Sequence, residues 1–321
     1  MPYTQVANLD FDNIKASLKE YLRSQKDFTD YDFEGSALAN LIDTLAYNTY
    51  YTAFNTNMVV NEMFIDSATL RDNVVALAKQ LGYRPKSATS PTAYVSFTVT
   101  YTNPTTDKEL SLKAGTGFIS TFDNVIYSYV VTSNVKAQVI NDVATFSNVP
   151  IREGTYLNNE FVVDNGSKSQ RFILDNPNID TNTISVTVYP GGGSFNEPYL
   201  VADNILDVDG DSKVFFVEET EDQRYEILIG DGVLGKKLEN NTRIDVSYLT
   251  TQGPASNGVR AFVFSGVLEN ENGVTPNSFT TSIVSTVASA GGEEVESTQK
   301  IKYTAPKAYG TQDRAVTAQD Y

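Results

Sequence analysis

The sequence predicts an α+β protein: an N-terminal helical arm, then an antiparallel β-sandwich-like domain and the start of a further C-terminal region. Two observations support this class. Apolar residues recur at helical spacing up to about residue 90 and alternate with polar residues beyond it. At the end of the chain, Thr317 and Asp320 resemble a capping pair that opens another helix. The expected domains are residues 1–90 (helical arm), 91–265 (β domain) and 266–321 (connecting segment).

Three helices are expected in the arm. The first should cover roughly 12–27, with Ile14 and Leu18 on its apolar face. The third should end at Gly82, because glycine readily takes the left-handed conformation that follows a helix. The expected N-terminal caps are Asp10 or Asp12 for the first helix and Asp66 or Ser67 for the third.

The second helix, expected from about residue 36 to 57, has the most distinctive surface. Its leucines and isoleucine follow helical spacing and should face other helices. Its aromatic side chains form a surface too large to leave in water and too polar for a simple core. Tyrosine is enriched where one side of a residue is buried and the other is wet, so we favour a partner interface over packing on the β domain. The predicted partner-binding residues are Leu38, Leu41, Ile42, Leu45, Tyr47, Tyr50, Tyr51 and Phe54.

From Thr92 the pattern changes to strands. Alternating apolar residues at 93–101 are followed by many short runs of the same kind, separated by Asn, Asp, Gly and Pro. Weaker strands are expected at 261–264 and 281–287, and a short helix at about 293–303 should end before Pro306. Repeated short strands with turn residues between them favour an antiparallel sandwich or barrel.

The composition excludes several function classes. The 321 residues include 24 Lys and Arg against 40 Asp and Glu, a net charge of −16, which disfavours nucleic-acid binding. There is no Cys and no His, so thiolate, zinc–thiolate and histidine-based catalysis are absent. The sequence offers no secretory signal and no apolar run long enough to span a membrane. We therefore expect no enzyme, no cofactor, no small-molecule substrate and no membrane insertion.

A glycine-rich stretch, Gly230–Lys237, matches the spacing of nucleotide-binding loops. Such loops need a following helix whose amides meet the phosphates. Only the seven residues 236–242, KKLENNT, lie between Gly235 and the next expected strand at Arg243, which leaves no room for that helix. We therefore interpret it as a β-hairpin.

An acidic loop has the spacing of a calcium site. Position 6 of the loop is Ser212, where calcium loops need glycine, and a strand-like run follows in place of a helix. The loop is therefore predicted to bind calcium weakly or not at all. Its candidate ligands are Asp207, Asp209, Asp211 and Glu218.

Four stretches together resemble the baseplate J-like proteins, specifically the baseplate wedge proteins of T4-like contractile-tailed phages. The longest begins YDFEGSALANLIDTLAYNTYYTAF at residue 31, and another reads IGDGVLGKKLENNTRIDVSYL from residue 229. The other two cover 153–188 and 290–321, and all four occur in the order of the family.

The resemblance implies a structural, non-enzymatic subunit of a virion tail baseplate, assembled in the bacterial cytoplasm. It implies partners among the other wedge subunits, including a sheath-initiator-like small protein, and a second copy of the chain. Its role would be to hold the contractile tail and then rearrange during genome injection. The resemblance also leads us to expect that the chain is a fragment whose missing C-terminal part carries contacts between wedges. The alternative from another class is a β-rich tail adhesin or carbohydrate-binding module, although such a protein does not need a Tyr-rich helical arm.

Overall fold

The computed structural model describes residue 7 and residues 10–25, 37–166, 171–202 and 208–311, without the side chains of 221 and 311. The chain forms two compact units. Met1–Pro85 and Ser297–Tyr321 make the first, and Lys86–Glu296 make the second. The predicted α+β class is confirmed, with helices in the first unit and β-sheets in the second. Thr317 and Asp320, the expected capping pair, lie outside the described residues.

The helical unit contains four described helices: α1 Phe11–Ser24, α2 Ala37–Glu62, α3 Arg71–Gln80 and α4 Thr298–Thr311. Asp10 caps α1, because its side chain accepts hydrogen bonds from the backbone N–H groups of Asp12 and Asn13. None of the described helices is both long and apolar enough to cross a membrane.

The start of α3 differs from the expectation, and the proposed caps Asp66 and Ser67 are wrong. The residue at the cap position is Leu70, whose side chain makes no capping bond. The carboxylate of Glu62, at the end of α2, takes over this role by accepting bonds from the N–H groups of Thr69 and Leu70. A cap supplied from the preceding helix has no local sequence signature.

The end of α3 matches the prediction. Gly82 has a φ of +78°, and the N–H of Tyr83 donates to the carbonyl of Ala78 at 3.0 Å. This is the pattern in which a left-handed residue satisfies the last carbonyls of a helix.

The last helix was predicted at the wrong position. It begins at Thr298, with the side chain of Ser297 accepting from the N–H of Lys300, and continues through Pro306. Ile301 and Ala305 are fully buried, and this packing offsets the hydrogen bond that proline cannot make. The buried cluster that joins α3 and α4 consists of Ala68, Val74, Val75, Ala78, Ile301 and Ala305.

The β unit contains two sheets, and the predicted alternation of buried and exposed residues is clear in its first strand, Thr92–Tyr101. The strands are β1 Thr92–Tyr101, β2 Glu109–Leu112, β3 Gly117–Phe122, β4 Val125–Val130, β5 Val135–Ile140, β6 Val143–Glu153, β7 Thr155–Val162, β8 Phe172–Leu174, β9 Ile179–Tyr189, β10 Glu197–Val201, β11 Val214–Glu219, β12 Tyr225–Ile229, β13 Arg243–Thr250, β14 Val263–Phe264, β15 Leu268–Asn270 and β16 Phe279–Ala290.

The first sheet has nine strands and is barrel-like. Its main path is β14-β3-β4-β6-β5-β2-β15, while β1 pairs with β6 on one side and β16 on the other. Beyond residue 265, where a connecting segment was expected, β15 and β16 join this sheet, and the compact β unit extends to Glu296. Its interior includes the stacked rings of Phe97 and Phe146, whose centroids are 4.9 Å apart.

The second sheet has seven strands in the order β7-β13-β9-β10-β11-β12-β8. All its pairs are antiparallel except β10 with β11, which pair in parallel through two residues each. It has a hydrophobic cluster of its own, which includes the fully buried Tyr248 and Ile179. The sequence predicted the strands but did not reveal that the two sheets have separate cores.

The two sheets meet where β6 ends and β7 begins, separated only by Gly154. Beside this corner, Glu153 is buried and accepts from the hydroxyl of Thr251 at 2.6 Å. Asp180 of the second sheet is also buried, and it accepts from the N–H of Ser90 at 2.9 Å and from Arg152 of the first sheet at 3.3 Å. Buried polar groups with satisfied hydrogen bonds therefore help to join the two sheets.

The β unit begins and ends at one place. The backbone groups of Thr89 and Glu293 exchange two hydrogen bonds, of 2.9 and 3.1 Å. The side chain of Glu296 accepts from the N–H of Lys86 at 3.0 Å. The chain therefore enters and leaves the β unit through a paired neck, which makes this unit an insertion between α3 and α4.

Candidate partner-binding helix

Helix α2 is 26 residues long and contains neither glycine nor proline. Its threonines would otherwise compete with the helix, but their hydroxyls donate back to the carbonyl four residues earlier. This pattern holds for Thr44, Thr49, Thr52 and Thr56, at 2.8–2.9 Å. With their hydroxyls bonded to the helix, these side chains expose mainly methyl groups. The sequence predicted the helix but ended it five residues too early, at 57 instead of Glu62.

The buried face of α2 is narrow and made mostly of small or amide side chains. Its buried residues are Ala39, Ile42, Ala46, Asn57 and Asn61. They lie three, four, eleven and four residues apart, and each of these spacings keeps them on one helix face. On the N-terminal half, α2 packs against α1, and Lys15 forms an ion pair of 2.5 Å with Asp43.

The buried amides have defined partners. Asn57 accepts from the N–H of Ala7 and donates to its carbonyl, both at 2.9 Å. Asn61 donates to the carbonyl of Asn57 at 2.7 Å, and the hydroxyl of Ser67 donates to the carbonyl of Asn61 at 2.7 Å. These bonds fix the rotation of α2 and therefore determine which side chains it exposes.

The exposed face carries an aromatic stripe. The exposed fractions are 56% for Tyr47, 50% for Tyr51, 43% for Phe54 and 40% for Met58. These residues are spaced four, three and four apart, so they lie in one line along the helix. Such a row of large apolar groups is rarely left in water.

The two tyrosines of the stripe pack on each other and on Tyr50, which lies beside the stripe. The ring centroids of Tyr47 and Tyr51 are 4.8 Å apart, and those of Tyr50 and Tyr51 are 6.4 Å apart in an edge-on arrangement. A hydrogen bond with Tyr51 raises the pKa of the Tyr47 hydroxyl further above its ordinary value of 10.0, so the Tyr47 phenol is neutral at physiological pH. Tyr50 is half-buried and supports the exposed rings.

The aliphatic residues are divided between the two faces. Ile42 is buried and Leu38 is half-buried, whereas Leu41 is 53% and Leu45 46% exposed. The expectation that all four face other helices is therefore wrong within this chain. Adjacent helical positions lie about 100° apart, so Leu41 and Leu45 point away from the buried face of α2. Ala39 and Ala46 occupy that buried face instead. A partner-binding role for Leu41 and Leu45 stays a prediction.

Two residues of this surface were missed. Met58 continues the aromatic stripe, and Val59 is 61% exposed near Leu41 on the helix wheel. The spacing of Met58 from Phe54 and Tyr51 would have revealed the first of them, had the predicted helix continued beyond residue 57.

The glycine-rich stretch forms a turn and not a phosphate site, and the predicted β-hairpin is wrong, because the flanking strands β12 and β13 pair with other strands and not with each other. No helix follows it before β13. The carboxylate of Asp231 accepts from the N–H groups of Val233 and Leu234, at 2.8 and 2.9 Å. The amides that might otherwise bind an anion are thus occupied by a carboxylate of the same turn. Gly230 is required, because a Cβ there would lie 2.1 Å from the backbone of Gly235.

The acidic loop is described only in part, because Asp207 lies outside the described residues. Asp209 forms a local turn, accepting from the hydroxyl of Ser212 and the N–H of Asp211. Glu218 lies within β11, which confirms the strand expected after the loop. In the described part of the chain, no group of three or more acidic residues is arranged to hold a metal ion.

Comparison with known proteins points to baseplate wedge proteins. Residues 10–83 match the family described as the helical domain of gp6-like baseplate wedge proteins. Baseplate wedge protein gp6 of Enterobacteria phage T4 is 29% identical over 329 residues, which cover 97% of this chain and 48% of that protein. The chain thus spans about half the length of the curated relative it matches. The resemblance to baseplate wedge proteins is confirmed.

A solved structure of the anti-feeding prophage baseplate also matches. It covers 96% of this chain and 54% of that chain at 13% identity, with a TM-score of 0.29. At that score the likeness carries no argument about shared geometry. The functional conclusion rests on the sequence relatives and on the exposed surface of α2.

Proposed function

We propose, taking the similarity of this chain to gp6-like baseplate wedge proteins as the premise, that it is a structural subunit of a phage tail baseplate. It acts by assembly and not by catalysis. Within the wedge, α2 is the element that binds other subunits. The partners are other wedge proteins, including a sheath-initiator-like small protein, and a second copy of the chain.

The observation that supports this role is the exposed aromatic stripe of α2, defined by Tyr47, Tyr51, Phe54 and Met58. Burying one large aromatic side chain is worth roughly 1.5–3 kcal/mol, and tyrosine is common among the residues that dominate binding energy. The face is also free of charge between Asp43 and Glu62, since no other acidic or basic residue occurs in α2. A neutral surface that offers rings, methyl groups and phenol hydroxyls suits an amphipathic helix as its partner.

The test is assembly of the wedge from co-expressed full-length subunits, followed by sedimentation. The variant Tyr51→Ala with Phe54→Ala removes two exposed rings and leaves the buried face of α2 intact. We expect assembly to weaken by roughly two orders of magnitude or more, while the isolated chain melts as before.

The matched control is Tyr21→Ala with Phe195→Ala, which removes one tyrosine and one phenylalanine that are 65% and 71% exposed outside α2. The control should assemble normally. Normal assembly of the α2 variant, or equal loss in both double variants, would contradict the proposal.

A further inference from the structure

The β unit has an edge strand that is unusual for a protein of this charge. Strand β16 pairs with β1, and no other described strand pairs with its opposite side. On that opposite side, the backbone groups of Ser289 do have partners, since they form hydrogen bonds with Gly258 and Val259. An open edge presents unpaired N–H and C=O groups, and proteins normally protect such edges with charges, prolines or bulges.

This edge is without charge. The chain has a net charge of −16, yet residues 272–292 contain no Asp, Glu, Lys or Arg. The other long edge strand, β7, carries Glu160, and β15 carries Glu269. The edge strands β8 and β14 are also without charge but contain only three and two residues. Two copies of so acidic a chain repel each other over most of their surface, so β16 is the long edge at which they can approach.

The regular part of the edge is short. Phe279–Ile283 pairs with β1 without interruption, and Val284 then forms a bulge because Ile283 and Ser285 face consecutive residues of β1. Within these five residues, Phe279 and Ile283 are half-buried against the core, and the three hydroxyl residues between them are exposed. The order of side-chain types, one apolar residue, three hydroxyl residues and one apolar residue, is therefore the same in both chain directions.

We propose that β16 pairs antiparallel with β16 of a second copy of this chain, across a two-fold axis at Thr281. In that register Phe279 faces Ile283 of the other copy, and Thr280 faces Ser282. Apolar groups therefore meet apolar groups, hydroxyls meet hydroxyls, and the pairing joins the two sheets into one. Such an isologous contact is the commonest arrangement of protein dimers. Because only five residues of each copy pair, the contact is weak, and the fraction of dimer should rise with protein concentration.

The surface is separate in sequence from α2, so this proposal goes beyond the function proposed above. A dimer formed through the aromatic stripe would be lost in Tyr51→Ala with Phe54→Ala. A dimer formed through β16 would persist in that variant. The two proposals can therefore fail independently.

The experiment is sedimentation velocity of the full chain over a range of concentrations. The variant Thr280→Lys with Ser282→Lys places like charges opposite each other in the proposed register, and we expect it to weaken self-association at least about tenfold. Thr280→Glu with Ser282→Glu should do the same. An equal mixture of the two variants should associate again, because each lysine then faces a glutamate.

The matched control is Ile126→Lys with Ser128→Lys. It adds the same charge at two exposed positions of β4, a strand flanked by others in the same sheet. It should associate like the natural chain. A natural chain that stays monomeric at the highest concentration, or a mixture that fails to recover, would overturn the proposal.

Hydrogen exchange provides a measurement that needs no substitution. Backbone amides of residues 279–283 should exchange several-fold more slowly in concentrated than in dilute solution. Self-association that leaves their exchange unchanged would also overturn the proposal, since it would place the contact elsewhere.

Discussion

The carboxylate of Glu62 accepts a hydrogen bond of 2.7 Å from the backbone N–H of Thr69, seven residues further along the chain. It also accepts from Asn73 at 2.8 Å, so one side chain at the end of α2 fixes the start of α3. Burial alone would raise the pKa of Glu62, but the bonds from Asn73, Thr69 and Leu70 outweigh it and lower the pKa from 4.5 to about 2. The ionised carboxylate is therefore part of the folded helical unit.

Glu62→Gln should destabilise the protein by roughly 1–3 kcal/mol at pH 7, since it removes the charge that these donors favour. A lowered folded pKa contributes stability above the unfolded pKa of about 4.5, and this stability is lost as the pH falls toward 2. The difference between the natural chain and the variant should therefore shrink between pH 5 and pH 2. Urea unfolding at several pH values measures this, with the exposed Glu20→Gln as the control. A constant difference across the range would contradict the account.

Glu153 should behave in the opposite way. Burial raises the pKa of this carboxyl, although hydrogen bonds from Thr251 and Gln252 act against the rise. A raised folded pKa favours folding while the group is protonated, and this contribution is lost as the pH rises through the folded pKa. Glu153→Gln keeps an acceptor for both donors and removes the ionisation.

The variant Glu153→Gln should therefore gain stability relative to the natural chain as the pH rises from 4 to 8. Thermal melting across that range tests the sign. A gain that grows toward low pH would show that the charged form of Glu153 is the one the joint stabilises.

Gly154→Ala should be strongly destabilising. The residue has a φ of +134°, and an added Cβ would lie 2.2 Å from the carbonyl oxygen of Thr250. The unfavourable backbone conformation and the steric clash together should cost roughly 2–4 kcal/mol of folding free energy. The control is Gly310→Ala, which lies in α4 with open space around it and should be neutral or stabilising by up to about 1 kcal/mol. Equal unfolding free energies for the two variants would mean that the backbone at Gly154, between β6 and β7, adjusts to the added methyl group without loss of stability.

The glycine-rich turn should bind no nucleotide. Its amides are held by Asp231, and the helix that would complete a phosphate site is absent from this segment. Titration calorimetry with ATP and with NAD, each with and without Mg²⁺, should give no binding heat. Micromolar binding that Gly235→Glu abolishes would reverse this interpretation.

The parts of the fold that the sequence predicted are those set by local periodicity and local conformation. The change of period near residue 90 separated the helices from the strands, and Gly82 ended α3 as expected. The errors arose where distant contacts override local signals. Glu62 replaced the expected cap of α3, and the burial of Ile301 carried α4 through Pro306.

The candidate site shows the same division. The aromatic residues of α2 could be recognised as an exposed stripe because helical spacing defines their positions. The rotation of the helix about its axis could not be predicted, since it depends on the hydrogen bond between Asn57 and Ala7, fifty residues away in sequence. For that reason Leu41 and Leu45 were expected to face other helices, although the contact is filled by Ala39 and Ala46.

The paired neck at Thr89 and Glu293 has a consequence for how the chain withstands damage. Because α3 precedes the β unit and α4 follows it, the two helices form one buried cluster from segments more than two hundred residues apart in sequence. A protease that cuts a single exposed loop of the β unit yields two polypeptides, each of which keeps one strand of the neck and one of these helices. The fragments should remain together until denaturant is added, so that a nicked chain runs as two bands on a denaturing gel and as one species in gel filtration. A chain whose units were joined by a single linker could be divided by one cut at that linker.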